Sequence, residues 1–199
     1  MRPIVLLLLS AVLILASSAH AAVSDPNWTE SVFSSDGSSH TGLAWAPDGS
    51  DRLFVIEKTG RVRVLTGALT AGAGTWSTFA TMTPIHTGGE SGLIGMAFDP
   101  NFAVNSFVYF FVTVSTSEQQ IIRYDASGPV GTGRLVIRDQ LPTTGGNHNG
   151  GGIGFAGDGK LYWSIGDLAA NVGVNADLSS LAAKVGRANR DGTLPANNP

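Results

Sequence analysis

The chain contains no cysteine among its 199 residues. That excludes a disulfide framework and leaves a packed apolar core as the source of stability. It also excludes a lipid-modified bacterial anchor. Excess positive charge is lacking too: the net charge is -3, which argues against nucleic acid as a partner, since that calls for a basic patch. A long hydrophobic run is missing as well. The apolar stretch Ile4 to Ala16 falls short of the roughly 20 residues a membrane helix needs. Helical periodicity is scant, with only Asp177 to Lys184 able to make a helical turn before Gly186 ends it.

The N-terminus carries Arg2, the apolar run, and then Ser17-Ser18-Ala19-His20-Ala21, a small-residue end of the Ala-x-Ala kind that marks a cleaved signal peptide. Residues 1–21 are therefore expected to be a signal peptide and residues 22–199 the exported domain, placed in the periplasm or secreted, with no membrane span after cleavage. An uncleaved anchor is the alternative. Asn27-Trp28-Thr29 is a glycosylation sequon, relevant only in a eukaryotic secretory route.

One pattern recurs along the rest of the chain. Gly42-Leu43-Ala44-Trp45-Ala46-Pro47-Asp48-Gly49, Gly95-Met96-Ala97-Phe98-Asp99-Pro100-Asn101-Phe102 and Gly152-Ile153-Gly154-Phe155-Ala156-Gly157-Asp158-Gly159 align as one unit, with starts 53 and 57 residues apart. Each reads as a short apolar strand closed by a turn. A second strand follows each turn, at Leu53 to Ile56, Phe107 to Val114 and Leu161 to Ile165, and the first two units add a third, at Arg61 to Leu65 and Gln120 to Tyr124. Such repeats predict an all-β fold, a partial β-propeller of about three antiparallel blades. A β-sandwich is the alternative, although it has no reason to repeat the same Gly-apolar-turn unit.

The densest candidate chemistry lies in the third unit. Asn147-His148-Asn149-Gly150-Gly151 sets one histidine between two amides in a Gly-rich loop, and the strand from Lys160 to Ile165 delivers Asp167 at its far end. A neutral imidazole is suited to accept a proton near neutral pH, and a nearby carboxylate can fix its tautomer and steady the imidazolium. The same residue types are also common in turns, so a purely structural loop is the competing reading. His20, His40 and His86 show no metal-ligand spacing. Two nucleotide motifs arise here by accident: Gly152 to Gly157 fits G-x-G-x-x-G, and Gly154 to Lys160 fits G-x-x-x-x-G-K. The first requires a helix after its last glycine and the second a Ser or Thr after the lysine, whereas Leu161-Tyr162-Trp163-Ser164-Ile165 reads as a strand. The glycines are expected to make a hairpin turn and to admit a flat ligand closely.

Asn147-His148-Asn149-Gly150-Gly151, Asp158-Gly159-Lys160-Leu161-Tyr162 and Gly166-Asp167 resemble the signature of the soluble sugar dehydrogenases that use pyrroloquinoline quinone (PQQ), the glucose/sorbosone dehydrogenase family. Other segments resemble it in the same order: Gly42 to Gly49 with Leu53-Phe54-Val55, Glu57 to Val62, Glu90 to Phe102, Asp177 to Leu181 and Asp191 to Pro195. The resemblance runs from about Gly42 to Pro199 and implies the N-terminal half of a six-bladed propeller. It further implies an oxidoreductase that oxidises the anomeric hydroxyl of an aldose, with PQQ and calcium as cofactors and a separate electron acceptor. In that frame His148 is the general base, Asp167 orients it, and Asn147 and Glu90 contact the substrate. The ligands of the quinone and of calcium are expected downstream of this chain.

Departures from the family pattern are equally visible. Gly152 stands where the family usually has Arg, removing a charge and five donors from the rim of the site. Gly186 and Ala188 replace apolar residues expected on a core strand, which predicts weaker packing there. A propeller closes with roughly 4 to 8 blades, so three units are expected to leave an open ring, either a truncated product or a half-ring that self-associates through open blade edges. The functional alternative is a non-catalytic propeller module that binds a protein or glycan through its face, because fold alone does not choose between them.

Overall fold

The structure, a computed structural model, describes residues 26–27, 33, 39–69, 74–169 and 173–198. Residues 1–33 form one unit and residues 34–199 another. In the first, Pro26 and Asn27 lie in a turn; the expected signal peptide, His20, Trp28 and Thr29 lie outside the described residues, as does Pro199.

The described residues of the second unit form three antiparallel sheets. β1 (His40–Trp45), β2 (Arg52–Glu57), β3 (Arg61–Thr66) and β4 (Thr75–Thr81) pair in sequence order as the first. β5 (Leu93–Phe98), β6 (Phe107–Thr113), β7 (Glu118–Asp125) and β8 (Thr132–Pro142) repeat that order as the second. β9 (Ile153–Phe155), β10 (Leu161–Ile165) and β11 (Lys184–Ala188) make the third, with β10 central. Three sheets of one meander topology are blades of a β-propeller, and the sandwich alternative, which has two facing sheets, does not apply.

Alternation along β6 shows how the blades stack. Successive strand residues point to opposite faces, so Val108, Phe110 and Val112 join the core shared with the first blade, alongside Phe54, Ile56, Val62 and Phe79. Tyr109 and Phe111 join the core shared with the third blade, alongside Leu161, Trp163 and Ile165. A strand covered on both faces must be apolar throughout, and Phe-Val-Tyr-Phe-Phe-Val-Thr is. Edge-to-face rings bind the first core, with Phe54 and Phe79 at 5.2 Å and Phe110 and Tyr124 at 6.1 Å between centroids. Phe110→Ala should cost about 3–5 kcal/mol, read as a lower denaturation midpoint at unchanged slope.

The buried Tyr109 hydroxyl, 3.1 Å from the Arg190 carbonyl oxygen, has its pKa pushed up to about 12, chiefly by loss of solvent. Arg190 also lies 3.5 Å from the fully buried Asp99. These contacts tie the strand end of the second blade to the turn after β11.

The packing of the inner strands explains the glycine of the second repeat. β1, β5 and β9 lie side by side, and Thr41 donates its hydroxyl to the Leu93 carbonyl at 2.6 Å. A Cβ on Gly95 would sit 2.1 Å from the Gly151 carbonyl oxygen, so neighbouring backbones approach there only because a side chain is missing.

Four features differ from the sequence expectation. A short helix, α1 (Phe102–Asn105), follows the Asp99-Pro100-Asn101 turn. Residues 177–183 make turns, not a helical segment: Asp177 caps the Ser179 N–H, Ser180 caps the Ala182 N–H, and Ala183 takes φ +56°, all of which compete with helical bonding. The outer strands β4 and β8 lack apolar runs because much of their length is exposed. Gly186 does not end an element but lies inside β11. A Cβ there would fall 2.1 Å from the Trp163 ring, so the indole already fills the space that a side chain would take. Ala188 is buried in the same core.

Candidate functional site

Antiparallel pairing brings the start of each inner strand to the end of its neighbour: Leu93 pairs with Val112, and Ile153 with Trp163. The loop before β5, the loop before β9 and the residues after β10 therefore gather on one face. These loops carry Glu90, Asn147, His148 and Asp167.

The loop before β9 continues the ladder beyond its last strand pair. Gly151 N–H donates to the Ser164 carbonyl at 3.1 Å, and Leu168 N–H to the His148 carbonyl at 3.2 Å. Gly166 makes this approach feasible, since a Cβ there would overlap the His148 carbonyl oxygen. His148 thus comes beside the residue that follows β10. Its Nδ1 lies 2.7 Å from Asp167 Oδ1, with both side chains about half exposed, at 56% and 48%. An ionised carboxylate only accepts, so Nδ1 carries the proton and, in the neutral ring, Nε2 offers a lone pair. Asp167 Oδ1 also accepts the Ala169 N–H at 3.1 Å. The hydrogen bond from His148, followed by that from Ala169, holds the Asp167 carboxyl below the usual carboxylate range, so it stays ionised where imidazoles titrate.

His148 sits at φ +59°, a left-handed conformation that costs a non-glycine residue about 1–2 kcal/mol. Glu90 restrains it, with Oε2 accepting the His148 backbone N–H at 2.6 Å. One Glu90 oxygen is thus committed to the loop. Asn147 is exposed on the same loop.

Several residues support the loop in ways that their sequence positions did not assign. Asn149, 1% exposed, accepts from Thr143 Oγ1 at 2.6 Å and donates to the Gly146 carbonyl at 2.7 Å and to Ser91 Oγ at 3.2 Å. Gln119 donates to the Asn149 carbonyl at 3.3 Å, and Lys58 Nζ donates to the Gly89 carbonyl. A buried amide with several partners rigidifies a loop because each broken bond would leave a desolvated polar group. The Gly157-Asp158-Gly159 segment is a hairpin turn between β9 and β10, with Asp158 Oδ1 accepting the Lys160 N–H at 3.0 Å and Gly159 at φ +70°. No helix starts there, which removes both nucleotide motifs.

Residues 38–199 match the profile of the glucose/sorbosone dehydrogenase family, and the chain belongs to that family. It is 31% identical over 185 residues to an uncharacterised protein of Synechocystis sp., a match covering 82% of this chain and 44% of the relative. Among solved structures it resembles an oxidoreductase (glucose dehydrogenase) of Thermus thermophilus, at 32% identity and TM-score 0.71, over 82% of this chain and 47% of that one. It also resembles the PQQ-bound aldose sugar dehydrogenase of Streptomyces coelicolor, at 28% identity and TM-score 0.71, over 84% and 49%. The chain spans under half the length of each. A shorter match, 30% identical over 139 residues, is to the mouse Hedgehog-interacting protein.

Proposed function

We propose that this chain carries the proton-accepting side of the active site of an exported, PQQ-dependent dehydrogenase that oxidises the anomeric hydroxyl of an aldose. The observation that carries the reading is the His148–Asp167 pair, an exposed imidazole with Nδ1 committed to a carboxylate and Nε2 available. The likeness to a PQQ-bound sugar dehydrogenase supports the cofactor. The small-residue N-terminus supports export, and no helix of the described residues is long and apolar enough to cross a membrane.

The residues present fit the quinone in part. The exposed imidazole of His148 suits approach by a sugar hydroxyl, whereas the glycines at 150–152 pack against Ser164, Ile165 and Ile94 of this chain, and so serve close backbone approach within the fold. Calcium finds no counterpart, because the described residues hold no group of three or more His, Asp or Glu side chains able to bind a metal ion. When bound, the quinone supplies the hydride acceptor. This chain's own step is proton transfer: His148 Nε2 takes the hydroxyl proton, Asp167 stabilises the resulting imidazolium, and Glu90 holds the loop in place. Asn147, exposed on the same loop, would offer its amide to the sugar.

Asp167→Asn should lower kcat without abolishing turnover, because it weakens control of the imidazole tautomer but leaves the proton acceptor in place. The effect should be smaller than that of removing His148, and steady-state rates of the two variants in the complete protein carrying this segment provide the check. A second reading, a non-catalytic module that binds a protein or glycan, is favoured by the match to a protein named for its interaction with Hedgehog. Sugar-dependent reduction of an artificial acceptor, present or absent when PQQ and calcium are added, separates the two.

A further inference from the structure

The loop that carries His148 is held by a second histidine whose position in a Ser/Thr/Gly-rich segment gave no hint of a role. His86 lies between β4 and β5, and its backbone N–H donates to the Thr113 carbonyl at 2.9 Å, anchoring it to the end of β6. Its half-buried ring places Nε2 2.8 Å from the Gly145 carbonyl oxygen. The ring is seated between two glycines: a Cβ on Gly88 would fall 2.7 Å from Nε2, and one on Gly145 3.0 Å. Neither position admits a side chain while the imidazole occupies that slot.

From Gly145 the contacts run on toward the candidate base. The Gly145 N–H donates to Thr143 Oγ1 at 3.0 Å, and Thr143 Oγ1 donates to the Asn149 side chain. Asn149 in turn reaches back to Ser91, beside Glu90. Glu90 N–H donates to the Gly146 carbonyl at 3.1 Å. The peptides on both sides of His148 are thus clamped to the β4–β5 connection, and the His86 ring is the clamp at Gly145.

We propose that His86 is a positioning residue for His148, its ring fixing the Gly145 peptide and through it the orientation of the His148 imidazole toward Asp167. A carbonyl oxygen only accepts, so His86 must carry its proton on Nε2. His148, bonded to a carboxylate through Nδ1, must carry its own on Nδ1. The two imidazoles on this face are therefore opposite tautomers when neutral. The effect on turnover rests on the reading of His148 as the base; the effect on its tautomer does not.

Nitrogen-15 spectra of ring-labelled histidine in the complete protein, recorded where both rings are neutral, test the proposal. The expected result is an Nε2–H form for His86 and an Nδ1–H form for His148. In His86→Leu the Nδ1–H share of His148 should fall, with kcat reduced roughly 10- to 100-fold and KM little changed, as misplacement of a catalytic group produces. His86→Gln, which keeps an N–H donor, should recover both. His86→Asn, too short to reach Gly145, should behave as the leucine variant does and decides the matter if leucine prevents folding. An Nδ1–H form of His86 in the parent protein would overturn the proposal, as would an unchanged His148 tautomer in a folded leucine or asparagine variant. If His148→Ala keeps normal kcat while the tautomer coupling is present, the base assignment fails and the positioning role stands.

Discussion

His148→Ala is expected to lower kcat for aldose oxidation by at least about 10²-fold while the quinone still binds, since loss of a general base typically costs roughly 10²- to 10⁴-fold. The reason lies in the geometry of the pair. Nδ1 is 2.7 Å from Asp167 Oδ1, which fixes the ring so that Nε2 is the nitrogen left to take a proton. The same geometry sets the direction of the pH dependence. A protonated ring has no lone pair at Nε2, so acid that protonates the base should lower turnover. Asp167 is held below the ordinary carboxylate range by His148 and Ala169, so its own protonation comes at lower pH than for an ordinary carboxylate. Steady-state assays of the complete protein with added PQQ, calcium and an artificial acceptor supply the measurement, and a near-normal kcat for the alanine variant would leave the loop as a turn.

Gly186→Ala is expected to destabilise the domain by about 1–3 kcal/mol, the usual cost of forcing a methyl group into an occupied site. The added Cβ would lie 2.1 Å from the Trp163 ring, and that ring is wedged between β10, β11 and the second blade. For a domain of this size each kcal/mol lowers Tm by about 2–4 °C. A thermal melt therefore reads the effect directly. The sign is informative, because a larger apolar side chain on a core strand would ordinarily be expected to stabilise. A variant at least as stable as the parent would show that Trp163 can swing aside. Trp163→Ala combined with Gly186→Ala should then be less than additive, as the first change removes the obstacle met by the second.

The elements that sequence pattern revealed are those with one dominant physical cause. β2, β6 and β10 are apolar because each is a central strand pressed between neighbours, and the repeated glycine of β5, Gly95, stands where the second and third blades meet backbone to backbone. The outer strands β4 and β8 were not legible. Half their residues face solvent, so Thr75–Thr81 and Thr132–Pro142 show neither an apolar run nor clean alternation. In the site, His148 and Asp167 were both visible, and the structure places them in contact. The supporting roles of Glu90 and His86 were not, because their bonds join residues far apart in sequence: Glu90 and His148 are separated by 58 positions, His86 and Gly145 by 59. Gly186 was misread for a related reason. Its meaning lies in a neighbour's indole, which no local pattern records.

The site-bearing loops of two adjacent blades are joined through Glu90, His86 and Asn149. Propellers are built from repeated units that lend themselves to duplication and exchange, and in most of the ring a blade could be replaced by a homologous one provided its apolar faces matched. At this boundary a matching core would not be enough. A transplanted third blade would bring His148 and Asp167 but would find its loop unanchored unless the donor's segment from His86 to Ser91 came with it. The stretch that holds this loop together is therefore not a blade but runs from the end of one sheet to the end of the next, cut across the repeat that the eye would choose.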